Sequence, residues 1–159
     1  MSNERPSGRR RVPQQSRSIE RVARILDAAA QVVLAKGVDA LTTRSVAQAA
    51  GVPVASLYQY FGDKDAILLA LVQRDIAEMD AQVTTDLGAL EVLSIGAVVE
   101  TTMRAFVAVY LRRPAFVEIW LRGRTNTAIS EFCRAHNNRV AADLLRLAQD
   151  AGLVREGTA

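Results

Sequence analysis

The stretch from Thr42 to Lys64, TTRSVAQAAGVPVASLYQYFGDK, constrains this chain more than any other segment. Val46, Ala47 and Ala50 recur at the spacing of one helix face, and Leu57 and Phe61 form a second apolar stripe beyond Pro53. Between the stripes stands Gly51, where a helix must end in a left-handed residue. Ala47 is small where a second backbone has to approach, and Gly51 follows four residues later. Two short helices crossing closely around a tight turn satisfy all of these positions, which is the pattern of a helix-turn-helix.

Half of the 159 residues are apolar and 23% are charged, enough for one sizeable core or two small ones and incompatible with disorder throughout. Aromatic residues make up only 5% while Ala, Leu, Val and Arg abound, so helices are favoured over sheets and an all-α fold is expected. Cys133 has no second cysteine to pair with, and no apolar signal-peptide core follows the basic N-terminus. The longest apolar runs, Ile67 to Val72 and Phe106 to Leu111, fall short of a membrane span. A cytoplasmic protein without a membrane segment is expected. Residues 1 to 64 hold ten Arg or Lys against five Asp or Glu, and residues 65 to 159 hold ten against twelve. The base is therefore at the front, which suits an N-terminal surface for nucleic acid on a near-neutral helical body.

Residues 1–17 carry Arg5, Arg9, Arg10, Arg11 and Arg17 with two prolines and no apolar periodicity, and read as a flexible arm adding general affinity for phosphate. From Ser18, taken as an N-cap, Ile19, Val22, Leu26, Ala29 and Val33 recur at helical spacing until Gly37. A second helix starts at Thr43, with Thr42 an alternative cap to Thr43. A third runs from Pro53 to Tyr60, with Pro at its first position, and Gly62 ends it. Asp63 caps a fourth helix whose apolar face is Leu68, Leu71, Val72, Ile76, Met79 and Val83. After a break from Thr84 to Gly88, helices are expected over 89–112, 114–121 and 127–151, bounded by Pro114, Gly123 and Gly152.

In a helix-turn-helix the start of the second helix enters the major groove, while flanking groups hold phosphates. Pro53, Val54, Ala55 and Ser56 open that helix; Ser56 offers a hydrogen bond, and Val54 and Ala55 suit thymine methyl groups. Gln59 is a further candidate for a base contact. Thr43 and Lys64, each at a helix N-terminus, are placed to bind phosphate together with exposed backbone N–H groups, and Arg44 adds charge nearby.

The chain from about Ser18 to Leu69 resembles the N-terminal domain of the TetR/AcrR family of bacterial transcriptional repressors. The residues that carry the resemblance are Ile25, Leu26, Ala28-Ala29, Gly37-Val38, Thr42-Thr43, Val46-Ala47, Ala50-Gly51-Val52, Leu57-Tyr58, Tyr60-Phe61 and Lys64-Asp65. It implies that residues 18–64 bind DNA and that 65–159 form a helical ligand-binding and dimerisation domain. It further implies that the hydroxyls of Tyr58 and Tyr60 contact phosphates or base edges. The partners it implies are a palindromic double-stranded DNA operator, a small-molecule effector of unknown identity and a second copy of the chain. Family members usually continue through two more helices that build the dimer interface, so this chain is expected to be a C-terminally incomplete fragment.

Effector candidates in the body are Met103, Phe106, Tyr110, Phe116, Trp120, Phe132 and His136, which mix apolar bulk with a few polar tips. Each is weighed against ordinary service in the core. Cys133 and His136 share a helix face, but two soft ligands do not build a zinc site, and no metal or cofactor is expected. An enzyme is disfavoured by the lack of a Gly-rich phosphate loop, a His-paired nucleophile and clustered carboxylates. A purely structural helical module would need the Tyr58 to Lys64 face buried against a partner.

Overall fold

The computed structural model describes residues 12–122 and 126–154, and every regular element among them is helical. Arg5, Arg9, Arg10 and Arg11 of the arm, Gly123, and residues 155–159 lie outside the described residues. The order is α1 (Val12–Lys36), a 3-10 turn (Val38–Ala40), α2 (Thr43–Ala50), α3 (Val54–Tyr58), α4 (Lys64–Gly88), α5 (Ile95–Arg112), α6 (Pro114–Arg122) and α7 (Thr127–Asp150). The expected all-α fold is the one observed. No helix among the described residues is long and apolar enough to cross a membrane.

Several boundaries differ from the sequence reading. Helix α1 begins at Val12, so Ser18 lies inside it and is no cap, and Arg17 is helical rather than part of an arm. With no glycine or proline between residues 14 and 36, nothing stops the helix at Ser18. Ile19, assigned to the apolar face, is 64% exposed. Helix α3 spans only Val54–Tyr58; Pro53 is its N-cap in extended backbone and not its first turn. Helix α4 continues through the expected break at Thr84 to Gly88, with the Thr85 hydroxyl donating to the Ala81 carbonyl at 2.8 Å. The connection is 89–94, and α5 starts at Ile95 under a Ser94 cap that accepts the Ala97 N–H at 3.1 Å.

The local chemistry of the first three helices follows from their caps. Thr42 closes a capping box with Ser45: the Ser45 N–H donates to Thr42 Oγ1 at 3.0 Å, and the Thr42 N–H donates to Ser45 Oγ at 2.9 Å. Gly51 takes φ 64° and ψ 37°, and the Val52 N–H reaches back to the Ala47 carbonyl at 3.0 Å, which closes α2 and sets up the turn. At α4 the Asp63 carboxylate accepts the Ala66 N–H at 2.8 Å.

One continuous core runs from α1 to α7. Ile25, Ala29 and Val33 of α1 join Val46 and Ala47 of α2, Leu57 of α3 and Ile67 to Val72 of α4, and the cluster continues through Phe116 and Ile119 of α6 to Ile129 and Cys133 of α7. Helix α6 packs on both α1 and α4, and α4 also packs on α5 and α7. The helix-turn-helix and the body thus share α4 and the seam beneath α6.

Candidate functional site

Burial of Val46, Ala47, Leu57 and Phe61 on the inner side leaves the opposite face of α2 and α3 in solvent. Pro53, Val54, Ala55, Tyr58 and Gln59 are exposed there and Ser56 is half-buried. Because Thr42 does the capping, the Thr43 hydroxyl is left to meet the Tyr58 hydroxyl at 3.2 Å. That contact ties the first residue of α2 to the last of α3 on the outer face, with Tyr58 53% exposed. Arg44 is exposed beside it, and Lys64 is exposed as the first residue of α4. Tyr60 differs from Tyr58: its ring packs half-buried against the core. The sequence spacing gave no sign of the Thr43–Tyr58 contact, since it depends on how α2 and α3 cross.

A polar joint unites α1, α4 and the α5–α6 corner. Arg74 donates to Asp27 at 2.6 Å and to Asp75 at 3.1 Å, while Arg113 reaches Glu78 at 2.7 Å and Asp75 at 3.8 Å, and Arg112 reaches Glu78 at 3.2 Å. Asp75 is only 2% exposed. Burial pushes its carboxyl above the ordinary value, against the pull of Arg74 and Arg113. Burial works the same way at Glu78, but the hydrogen bond and charge of Arg113, then those of Arg112, hold that carboxyl below its ordinary value. Glu78 in turn raises Arg113. The signal of this joint in the sequence is a carboxylate at position 75, between Val72 and Ile76 on the apolar face of α4.

The body contains a cavity of about 420 Å³ between α4, α5 and α7. Its walls include Met79, Val83, Leu87, Phe106, Val140 and Leu144, with Asp80, Thr102, His136 and Arg139 among the polar groups. A smaller void of about 120 Å³ shares Met79, Phe106 and His136 with it and brings in Phe116 and Trp120. Four of the seven effector candidates, Phe106, Phe116, Trp120 and His136, therefore converge. Phe132 lines neither space and stacks on His136, with centroids 6.3 Å apart. Met103 and Tyr110 do not belong to the cavity. Met103 is exposed on the far side of α5, and Tyr110 lines a separate groove with Val33, Leu34 and Pro114. Helical spacing placed them on the same element as Phe106 but could not place the inner wall.

Comparison with known proteins agrees with this geometry. Residues 25–71 match the family model described as bacterial regulatory proteins, tetR family. Over 71 residues the chain is 39% identical to the HTH-type transcriptional repressor KstR of Mycolicibacterium smegmatis, a match covering 45% of this chain and 34% of that repressor. A crystal structure of a TetR-family transcriptional regulator from Streptomyces coelicolor is 35% identical with a TM-score of 0.59, covering 62% of this chain and 58% of that one. The transcriptional regulator FadR from Bacillus subtilis, solved in complex with stearoyl-CoA, is 19% identical with a TM-score of 0.70, covering 86% of this chain and 75% of that one, and shows likeness of fold alone. Residues 25–71 thus match the domain of the bacterial regulatory proteins of the tetR family, and the helical body is similar in fold to TetR-family regulators.

Proposed function

We propose that this chain is a ligand-responsive transcriptional repressor that binds a palindromic operator as a homodimer. The observation that carries the DNA-binding part is the outward Thr43–Tyr58 hydroxyl contact, which holds two helices in fixed register and leaves the start of α3 in solvent. In this reading Val54, Ala55, Ser56 and Gln59 face the base edges, Pro53 opens the helix, and Thr43, Arg44, Tyr58, Tyr60 and Lys64 fix the register on phosphates or base edges. The small side chains of α3 give modest base readout, so two half-sites at a fixed spacing supply much of the specificity. Footprinting on the DNA upstream of the chain's own gene tests this. A dimer protects two half-sites separated by one helical turn or a multiple of it, roughly 34 to 36 Å. Absence of protection there and elsewhere at low salt sinks the proposal.

The ligand-responsive part rests on α4, which begins at the DNA-side Lys64 and carries Met79, Asp80 and Val83 into the cavity wall. A ligand that spreads or closes the cavity has to act on the helix that presents Lys64. Such a ligand regulates only if it contacts the two states of the protein differently. A thermal-shift screen identifies it, since binding to the folded state raises the melting temperature.

A further inference from the structure

Helix α5 is apolar on two opposite sides. Thr101, Ala105 and Val109 form its buried row, on the helix that packs against α4 and α6. On the opposite side Ile95, Val99, Met103, Val107 and Leu111 recur at every fourth position, and each is between 54% and 73% exposed. Single apolar residues on a surface need no explanation, but an unbroken exposed row on a helix that is already apolar on its inner side marks a contact face. Three charged residues of α5 are exposed. Arg112 is turned to Glu78, whereas Glu100 and Arg104 lie together along one flank of the row, 2.5 Å apart.

The row is symmetric about Met103, with Val99 and Val107 four residues to either side and Ile95 and Leu111 eight. A two-fold contact between identical chains requires a surface that is its own complement. With two α5 helices antiparallel and Met103 on the axis, Val99 meets the partner's Val107 and Ile95 points toward the partner's Leu111. The same axis keeps the charged flanks of both copies on one side and sets Arg104 roughly 3 Å along the helix from the partner's Glu100. Each guanidinium is then within reach of its own carboxylate and the partner's. A parallel pairing puts the two flanks on opposite sides and forms no such cross-pair. Continued past the helix, the antiparallel register carries Val92, at 75% the most exposed large hydrophobic among the described residues, to the partner's Pro114, where Val33, Leu34 and Tyr110 line an open groove.

From this self-complementary row we infer that α5 is a contact face for a second copy of the chain, paired antiparallel about Met103. The inference rests on the homodimer reading and names its surface. A row roughly 24 Å long on a helix about 10 Å wide covers on the order of 250 Å², against the about 800 Å² per partner of a standard interface, so a weak, concentration-dependent dimer is expected.

Sedimentation equilibrium of the 159-residue chain from about 1 to 500 μM is expected to show a monomer–dimer equilibrium with a Kd on the order of 10 μM. Met103→Glu, which sets two carboxylates against each other on the axis, weakens it at least about tenfold with helicity unchanged. Glu100→Arg also weakens it, and adding Arg104→Glu to the same chain restores it. Cross-linking reads the register, with the parent chain and its buried Cys133 as the control. Under mild oxidation Met103→Cys links to itself. Val99→Cys does not, since the two copies of position 99 stand roughly 12 Å apart along the helices, but it links when mixed with Val107→Cys. A monomer over the whole range overturns the α5 face and leaves the row to a different occupant. A dimer that Met103→Glu does not weaken and the cysteines do not trap also overturns the face, while the homodimer reading stands. A monomer that protects only one half-site on DNA overturns both.

Discussion

At the scale of single residues, the proposed DNA face separates two kinds of contribution that substitution distinguishes. Lys64→Ala removes a point charge from the start of α4, so binding weakens by a similar factor for every DNA sequence and the salt slope falls by about one. Fluorescence anisotropy titrations across a salt series measure it, and an unchanged slope removes Lys64 from the interface. Tyr58→Phe keeps the ring and deletes the hydroxyl that meets Thr43. It is expected to cost about 1 kcal/mol of DNA binding with the salt slope little changed. Asp75 supplies a prediction in pH. Its folded-state value is raised, so its contribution to stability is complete below the unfolded carboxylate value and is lost as pH rises through the folded one. Glu78, whose value is lowered, acts in the opposite sense: its contribution is present above the ordinary value and lost as pH falls through the folded one. In Asp75→Asn the first of these disappears while the amide oxygen still accepts from Arg74. Urea unfolding between about pH 4 and 7 should then show less loss of stability with rising pH than in the parent chain. Parallel curves exclude this role for Asp75.

At the scale of elements, the turn between α2 and α3 is held by backbone conformation. A Cβ on Gly51 meets nothing within 4 Å, so Gly51→Ala introduces no clash, only the strain of a left-handed φ of 64°. The expected loss is about 1 kcal/mol by chemical unfolding, with Gly51→Asn costing less. Elements marked by such local chemistry were legible in the sequence. The Asp63 cap, the Gly51 turn and the stops at Gly37 and Pro114 are interactions within a few residues of chain, and each lies where the pattern placed it, while the choice the sequence left open between Thr42 and Thr43 falls to Thr42. Illegible were the start of α1, where no breaker stands between residues 14 and 36, and the α4–α5 connection, where α4 runs on through Thr84 and Thr85 to Gly88. The inner wall of the cavity was hidden for a related reason. Phe106 and Tyr110 are one helical turn apart and their rings lie 6.4 Å from each other, yet only the tilt of α5 against α4 and α7 decides which of them faces inward. The Asp75 joint was overlooked because periodicity counts apolar positions and gives no weight to a charge among them.

At the scale of the whole molecule, the shared core makes the helix-turn-helix and the body one cooperative unit. Ile119, fully buried on α6 within the cluster that includes α1 and α4, is the place to test this. Ile119→Ala is expected to destabilise the chain by about 3 kcal/mol, and helicity and Trp120 fluorescence should be lost in a single coincident transition in both forms. Two separated transitions would show that the seam under α6 does not couple the parts. The same economy of packing leaves one region unconstrained. Val54 and Ala55 of the five-residue helix α3, with Pro53 and Gln59 at its two ends, are exposed, whereas its anchor, Leu57, is buried. Exchanges at those four outward positions leave the core intact, so descent can rewrite the chemistry of the proposed DNA face one residue at a time without putting the survival of the fold at risk.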